Sequence, residues 1–234
     1  MSIKHKTLFF LILFFSLNKQ LFAHELKKDE INSIIKNFIL DNPQIIEKTL
    51  KDLNFKRSQK NFKLALNDLK KVPNPSLKKA NADVTIYEFF DYNCGFCKSV
   101  MQNIFNIYKN DKKVEIVFVE YPILSKSSLS AALTSLAARN QNKYFEFHSK
   151  LMKHTGKIDD NLLLSFANEL KINTKKLKSD YSNEKLMLII NKNREIASRL
   201  NLKGTPAFII GNTIYPGAMS EKDLEKAIAI ERKK

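Results

Sequence analysis

Val84-Thr85-Ile86-Tyr87-Glu88-Phe89-Phe90-Asp91-Tyr92-Asn93-Cys94-Gly95-Phe96-Cys97 is the stretch whose reading decides the fold. Its first seven residues, rich in β-branched and aromatic side chains, predict a buried strand. A helix opens at the cysteines, because Val100, Met101, Ile104 and Ile107 recur at helical spacing. Residues 114–119 then alternate and predict a second strand, parallel to the first since a helix crosses between them. The cysteine pair therefore sits at the strand-to-helix junction of a βαβ unit.

Toward the C-terminus the pattern turns helical over residues 125–202, with helices expected at 129–138, 144–152, 159–170 and 184–200. Ala207-Phe208-Ile209-Ile210 and Thr213-Ile214-Tyr215 read as short strands around a Gly211-Asn212 turn. A last helix, from 221 to about 232, carries Leu224, Ala227 and Ile228 on one face. The expected class is α/β: a sheet interrupted by a long helical insertion.

Toward the N-terminus, residues 24–72 form a separate helical segment. Ile31, Ile34, Ile35 and Phe38 line one face of a short helix that stops at Asp41-Asn42-Pro43, where Asn42 can cap the next helix and Pro43 occupies its first position. The second helix carries Ile46, Leu50 and Leu53, then Phe55, Phe62, Leu66 and Leu69, a seam that shifts register across residues 56–60. Such a stripe needs a partner, either the sheet domain that follows or the same helices of another subunit. Pro73 and Pro75 end the helix and mark an expected linker over 73–81, which leaves 82–234 as the domain that holds the sheet and its helical insertion.

Composition narrows the function. With 5 glycines among 234 residues there is no phosphate-cradling loop, and two cysteines exclude a disulfide-rich scaffold and a four-thiolate zinc site. The formal charge of +16 is nearly all lysine; only five arginines offer the forked donors suited to phosphate, so the excess reads as solvated surface and no nucleic-acid partner is expected. Residues 1–23 read as a secretory signal peptide: a basic start, an apolar run at 7–17 shorter than the ~20 residues of a bilayer span, and Ala23 before the expected cut. That predicts a place outside the reducing cytosol, where a cysteine pair can be oxidised. His148 and His154 do not share a helix face, and His24 would bind copper only as a new N-terminus.

The chemistry rests on Cys94 and Cys97. Residues i and i+3 lie one turn apart at the start of a helix, where free N–H groups and the dipole favour a thiolate at Cys94. Cys94 is the expected nucleophile and Cys97, deeper in the helix, the resolving thiol. A purely structural disulfide across so short a loop would gain little chain entropy.

The run from Glu88 to Cys97, together with Gly204-Thr205-Pro206-Ala207-Phe208 about 110 residues on, resembles the DsbA family of periplasmic thiol-disulfide oxidoreductases, and within it the ScsC-like branch, whose members have an N-terminal helical segment similar to Ile31 through Leu53. The resemblance implies a thioredoxin-like fold with no organic cofactor and no resident metal. It implies that Pro206 is a cis-proline facing the cysteines, that Thr205 pairs by its backbone with an extended substrate, and that Glu88 is a buried acid accepting the Cys97 proton. Thr205 and Phe96 are the expected substrate contacts. Expected partners are unfolded or misoxidised secreted proteins, a membrane redox partner, and further copies of the chain through residues 29–72. The activity is expected to be oxidoreductase or isomerase; the alternatives are a monomeric oxidase or reductase, or a copper-tolerance protein holding Cu(I) on the Cys94 and Cys97 thiolates. A metal carrier has no need of Pro206, which speaks against the last.

Overall fold

The computed structural model describes residues 27–234, so the expected signal peptide and His24 lie outside the described residues. The chain forms two compact units, one ending at Arg57 and the other spanning Ser58–Lys234. Two helices come first, α1 (Lys28–Asp41) and α2 (Pro43–Leu69). Pro43 opens α2, where its missing N–H removes no intrahelical bond. The cap expected of Asn42 is turned round: its amide donates to the Phe38 carbonyl of α1 at 2.8 Å, while its oxygen is taken by the Gln44 side chain at 3.3 Å. In the first unit no residue of α1 is buried, and Ile46, Leu50 and Leu53 of α2 are exposed as well.

The register shift of the seam at 56–60 coincides with the division between units. Beyond it Ala65, Leu66 and Leu69 are buried among Tyr87, Phe89, Val117, Ile196 and Ile209. The last turns of α2 thus belong to the second unit, which continues with β1 (Ser76–Lys78), β2 (Val84–Phe90), α3 (Gly95–Asn110) and β3 (Val114–Glu120). Then come five inserted helices, α4 (Lys126–Arg139), α5 (Tyr144–Lys153), α6 (Asp160–Glu169), α7 (Thr174–Tyr181) and α8 (Glu184–Arg199). The chain closes with β4 (Ala207–Ile210), β5 (Thr213–Pro216) and α9 (Glu221–Glu231).

The sheet order is β1-β3-β2-β4-β5, with only the β2–β3 pair parallel. Alternation along the strands divides the core. Ile86, Phe90, Ile116, Phe118, Phe208 and Ile210 face one side, packed with α3, α4, α5 and α9. Tyr87, Phe89, Val119 and Ile209 face the other, against the end of α2 and against α8. Burial on both faces is why β2 reads as a continuous apolar run.

The stretch expected as a linker, 73–81, carries the edge strand β1 and is tied into the second unit. Asn74 and Asn193 exchange side-chain hydrogen bonds at 3.1 and 2.9 Å, and the Pro75 carbonyl accepts from Phe118 N–H at 2.9 Å. Gly211 turns β4 into β5 with φ +59°, a conformation that favours glycine. Among the described residues no helix is long and apolar enough to cross a membrane.

Candidate active site

Strand β2 delivers the chain through the turn Asp91-Tyr92-Asn93 to Cys94, which is the N-cap of α3 in extended conformation (φ −84°, ψ 113°). Its Sγ accepts the Cys97 N–H at 3.4 Å, as capping side chains do, and so lies at the positive end of the helix. The sulfurs are unbridged. Cys94 keeps 6% of its surface and Cys97 none, and burial holds the Cys97 thiol far above its ordinary range. The two thiols are therefore unequal: the outer can meet a substrate, while the inner stays protonated until something takes its proton.

Across from the pair, the Thr205–Pro206 peptide bond is cis. The Cys94 thiol donates to the Thr205 carbonyl at 3.2 Å. Thr205 is half-buried and its hydroxyl has no hydrogen-bond partner. Phe96, on the first turn of α3, is 70% exposed. Glu88 is buried on β2, and one of its carboxylate oxygens lacks a hydrogen-bond partner. Burial, and secondarily the charge on Cys94, raises its carboxyl from 4.5 to about 8, and the Glu88 charge is felt in turn at Cys97. The structure thus brings together five of the residues singled out from the sequence, with Glu88 beneath them.

A family model described as Thioredoxin matches residues 70–229. The chain belongs to the thioredoxin family. Its likeness to DsbA-type thioredoxin relatives is specific. It is 30% identical over 173 residues to a probable disulfide bond formation protein D of Bacillus cereus, covering 68% of this chain and 79% of the relative. A thioredoxin-like oxidoreductase from Silicibacter pomeroyi superposes with TM-score 0.69 at 34% identity, covering 72% of this chain and 98% of the other. The thiol-disulfide exchange protein alpha-DsbA2 of Wolbachia pipientis gives TM-score 0.69 at 27% identity, covering 75% and 96%. A Proteus mirabilis ScsC variant with a linker deletion, 22% identical, shares the fold with TM-score 0.68 over 90% of this chain and 99% of its own. Together these make the chain a DsbA-like thiol-disulfide oxidoreductase of the thioredoxin family.

Two residues of this thioredoxin-family site were not singled out in the sequence. Asp91, buried, accepts N–H groups from Asn93 at 2.8 Å, Ile123 at 2.8 Å and Leu124 at 2.9 Å. Asn93 donates its side-chain amide to Ser125, Ser127 and Ser128 at 2.9–3.1 Å. Between them they bind the loop after β3 to the turn before Cys94. The sequence signal was an acid and an amide in the turn that delivers the nucleophile; their acceptors and donors lie some 30 residues away. Next to them is a wholly buried polar cluster: Glu120 accepts from Tyr92 at 2.9 Å and Tyr144 at 2.8 Å, and His148 Nδ1 lies 3.1 Å from the Tyr92 hydroxyl. Burial pushes the Glu120 carboxyl well up and the His148 imidazole down to about 3.

Glu88 should leave a signature in stability. Unfolded, it titrates near 4.5; folded, at about 8. Between these values the folded chain holds an extra proton, so stability falls as pH rises, by about 1.4 kcal/mol per pH unit. At pH 7 the loss reaches ~3 kcal/mol. Glu88→Gln should therefore be more stable than the parent at pH 7 by ~2–3 kcal/mol in urea unfolding, with a flatter profile between pH 5 and 8. His148 acts in the opposite sense, losing stability as pH falls from 6.5 toward 3, and that slope should survive the substitution. A profile unchanged above pH 5 would mean that Glu88 ionises in the fold at its ordinary pH.

Proposed function

We propose that the protein is a periplasmic disulfide isomerase that acts, as an oligomer, on unfolded or misoxidised secreted proteins. The observation that carries the exchange chemistry is the unequal pair itself, Cys94 capping α3 opposite the Thr205 carbonyl and Cys97 sealed beneath it. The Cys94 thiolate attacks one sulfur of a substrate disulfide, that S–S bond breaks, and the departing sulfur leaves as a thiolate. A free thiol of the same substrate then attacks the mixed disulfide and completes an isomerisation. Where none does, Glu88 in its ionised form, whose share grows as pH rises toward 8, takes the Cys97 proton, and Cys97 attacks Cys94 Sγ and releases the substrate reduced. Thr205 pairs through its backbone with the extended substrate, Pro206 fixes that backbone, and Phe96 contacts the segment. A membrane redox partner returns the pair to its working state, and no organic cofactor enters.

Two features support isomerase over oxidase. The first unit carries large apolar side chains in the open, suited to joining subunits. The dipeptide Gly95-Phe96 has no charge or side-chain donor to hold the Cys94 thiolate, which makes the disulfide less oxidising. Extracytoplasmic placement is supported by the composition of residues 1–23. The test is the reduction potential of the Cys94/Cys97 couple in a glutathione titration, expected several tens of millivolts below roughly −120 mV, the level of the strongest oxidants. A value at or above that level removes the argument from the dipeptide.

A further inference from the structure

Cys94 gains from the end of α3, yet the two residues between the cysteines bring it no charge. The first ionisable side chain beyond the pair is Lys98, one helical turn past Cys94, whose carbonyl accepts the Lys98 N–H at 3.1 Å. Helical side chains lean toward the N-terminus, so the Lys98 stem runs back toward the nucleophile. Its ammonium is pinned: half-buried, it donates from Nζ to the carbonyl of His154, the C-cap of α5, at 2.7 Å. That partner is neutral, so the charge is not cancelled. Burial lowers the Lys98 ammonium from its ordinary range, while Asp91 and a charge on Cys94 hold it up; what Cys94 does for Lys98, Lys98 does in return. The other groups nearby do not help a negative sulfur. Glu88 on β2 and Asp91 in the turn are acids, buried Cys97 stays protonated, and His154 turns its Nε2 to the Lys157 carbonyl at 3.3 Å. Lys126 and Lys203 flank the site as well, but both stand exposed in water, where salt screens them.

Resting on the oxidoreductase reading, we propose that Lys98, anchored on the His154 carbonyl, is the fixed cation that holds the Cys94 thiolate and so supplies charge that the Gly95-Phe96 dipeptide lacks. It is a positioning residue, acting through Cys94. In an exchange that ends by attack from a substrate thiol, negative charge sits on Cys94 Sγ twice. It is there before the thiolate displaces one substrate sulfur, with which the electron pair leaves. It returns when a substrate thiolate attacks the substrate sulfur of the mixed disulfide: a new substrate S–S bond forms, and the bond to Cys94 breaks with its electron pair on Sγ. A cation that the fold keeps in place stabilises both states without reorganising. The anchor lies in the helical insertion, so insertion and sheet meet at this charge.

The test measures iodoacetamide alkylation of Cys94 in the full-length reduced protein, in mild acid at about pH 6 and in base at about pH 9.5, together with the equilibrium against glutathione. Lys98→Met keeps the length of the stem and removes the charge. In mild acid it should alkylate about fivefold more slowly than the parent, the scale of one partly screened charge interaction. In base, where a cysteine thiol is ionised without help, the two should agree within about twofold. A less stable thiolate makes the pair more reducing, by about fivefold in the glutathione equilibrium constant, or about 20 mV. Lys98→Arg keeps the charge and should hold both values within about twofold of the parent. The deficit of Lys98→Met should persist from about 0.05 to 0.5 M salt, while Lys126→Met and Lys203→Met should each change the rate in mild acid by less than about twofold. Parental alkylation by Lys98→Met in mild acid, or an equal loss from Lys126→Met or Lys203→Met, would overturn the proposal. So would a deficit that remains in base or that arginine does not restore, since either reports damaged packing and not a missing charge. Failure of every chain, the parent included, to exchange with glutathione or oxidised dithiothreitol would instead strike the oxidoreductase reading, while the alkylation comparison would still decide on Lys98.

Discussion

Cys97→Ser is expected to accumulate a covalent adduct with substrate protein, and Cys94→Ser to lose exchange down to background. Both outcomes follow from the inequality of the two thiols. Cys94 keeps a little surface, caps α3 and faces the Thr205 carbonyl at 3.2 Å, so a substrate sulfur can reach it. Cys97 has no surface, and burial keeps its thiol protonated, so it cannot attack first. Once the mixed disulfide on Cys94 exists, Cys97 is one helical turn away and displaces the substrate intramolecularly; a serine there cannot. The adduct should appear on a non-reducing gel as a higher-mass band cleared by dithiothreitol. Limiting iodoacetamide should mark Cys94 in preference to Cys97, and adducts formed by Cys94→Ser through Cys97 would reverse the assignment.

What the sequence made legible is what local pattern controls. The run 84–90 announces β2 because that strand is buried on both faces, and helical spacing after Cys97 announces α3 because one face of it packs on the sheet. β1 escaped because it is three residues long and becomes a strand only by pairing with β3, some 40 residues away. α7 escaped because it is rich in lysine and buries only Leu177, so no apolar stripe marks it. The division of the chain was readable in the register shift at 56–60, yet Pro73 and Pro75 drew the boundary later. Proline ends a helix whether or not a domain ends with it. Asp91 and Asn93 stood in plain view next to the cysteines, but their task is set by a loop that only the fold brings to them. Glu120 repeats the signal that marked Glu88, an acid among apolar strand residues, and ends in a buried cluster with two tyrosines and a histidine.

If the protein is the oligomeric isomerase proposed above, removing everything before Ser58 should leave a monomer that still reduces small disulfides. The cut follows the division between units. A chain begun at Lys79 would be a poor test, since it deletes Ala65, Leu66 and Leu69 from the core of the second unit along with β1. Losing one buried leucine costs ~2–5 kcal/mol, so failure of that chain would report on folding. The cut at Ser58 leaves that core whole and takes away Ile31, Ile34, Ile35 and Phe38 of α1 and Ile46, Leu50 and Leu53 of α2, all exposed. An amphipathic helix pair with its apolar side chains in water is stabilised by a second copy presenting the same stripe. Joined subunits hold a released substrate thiol near another catalytic pair at about millimolar effective concentration, which is what repeated attack and release requires. Light scattering should give a multimer for the chain lacking residues 1–23 and a monomer for the chain from Ser58. Reactivation of scrambled ribonuclease should fall by about tenfold or more with the cut, as the effective concentration is lost. Two monomers in the scattering would show that the stripe joins no subunits, and equal reactivation by both chains would disconnect the helices from catalysis, leaving a monomeric oxidase or reductase as the reading to test next.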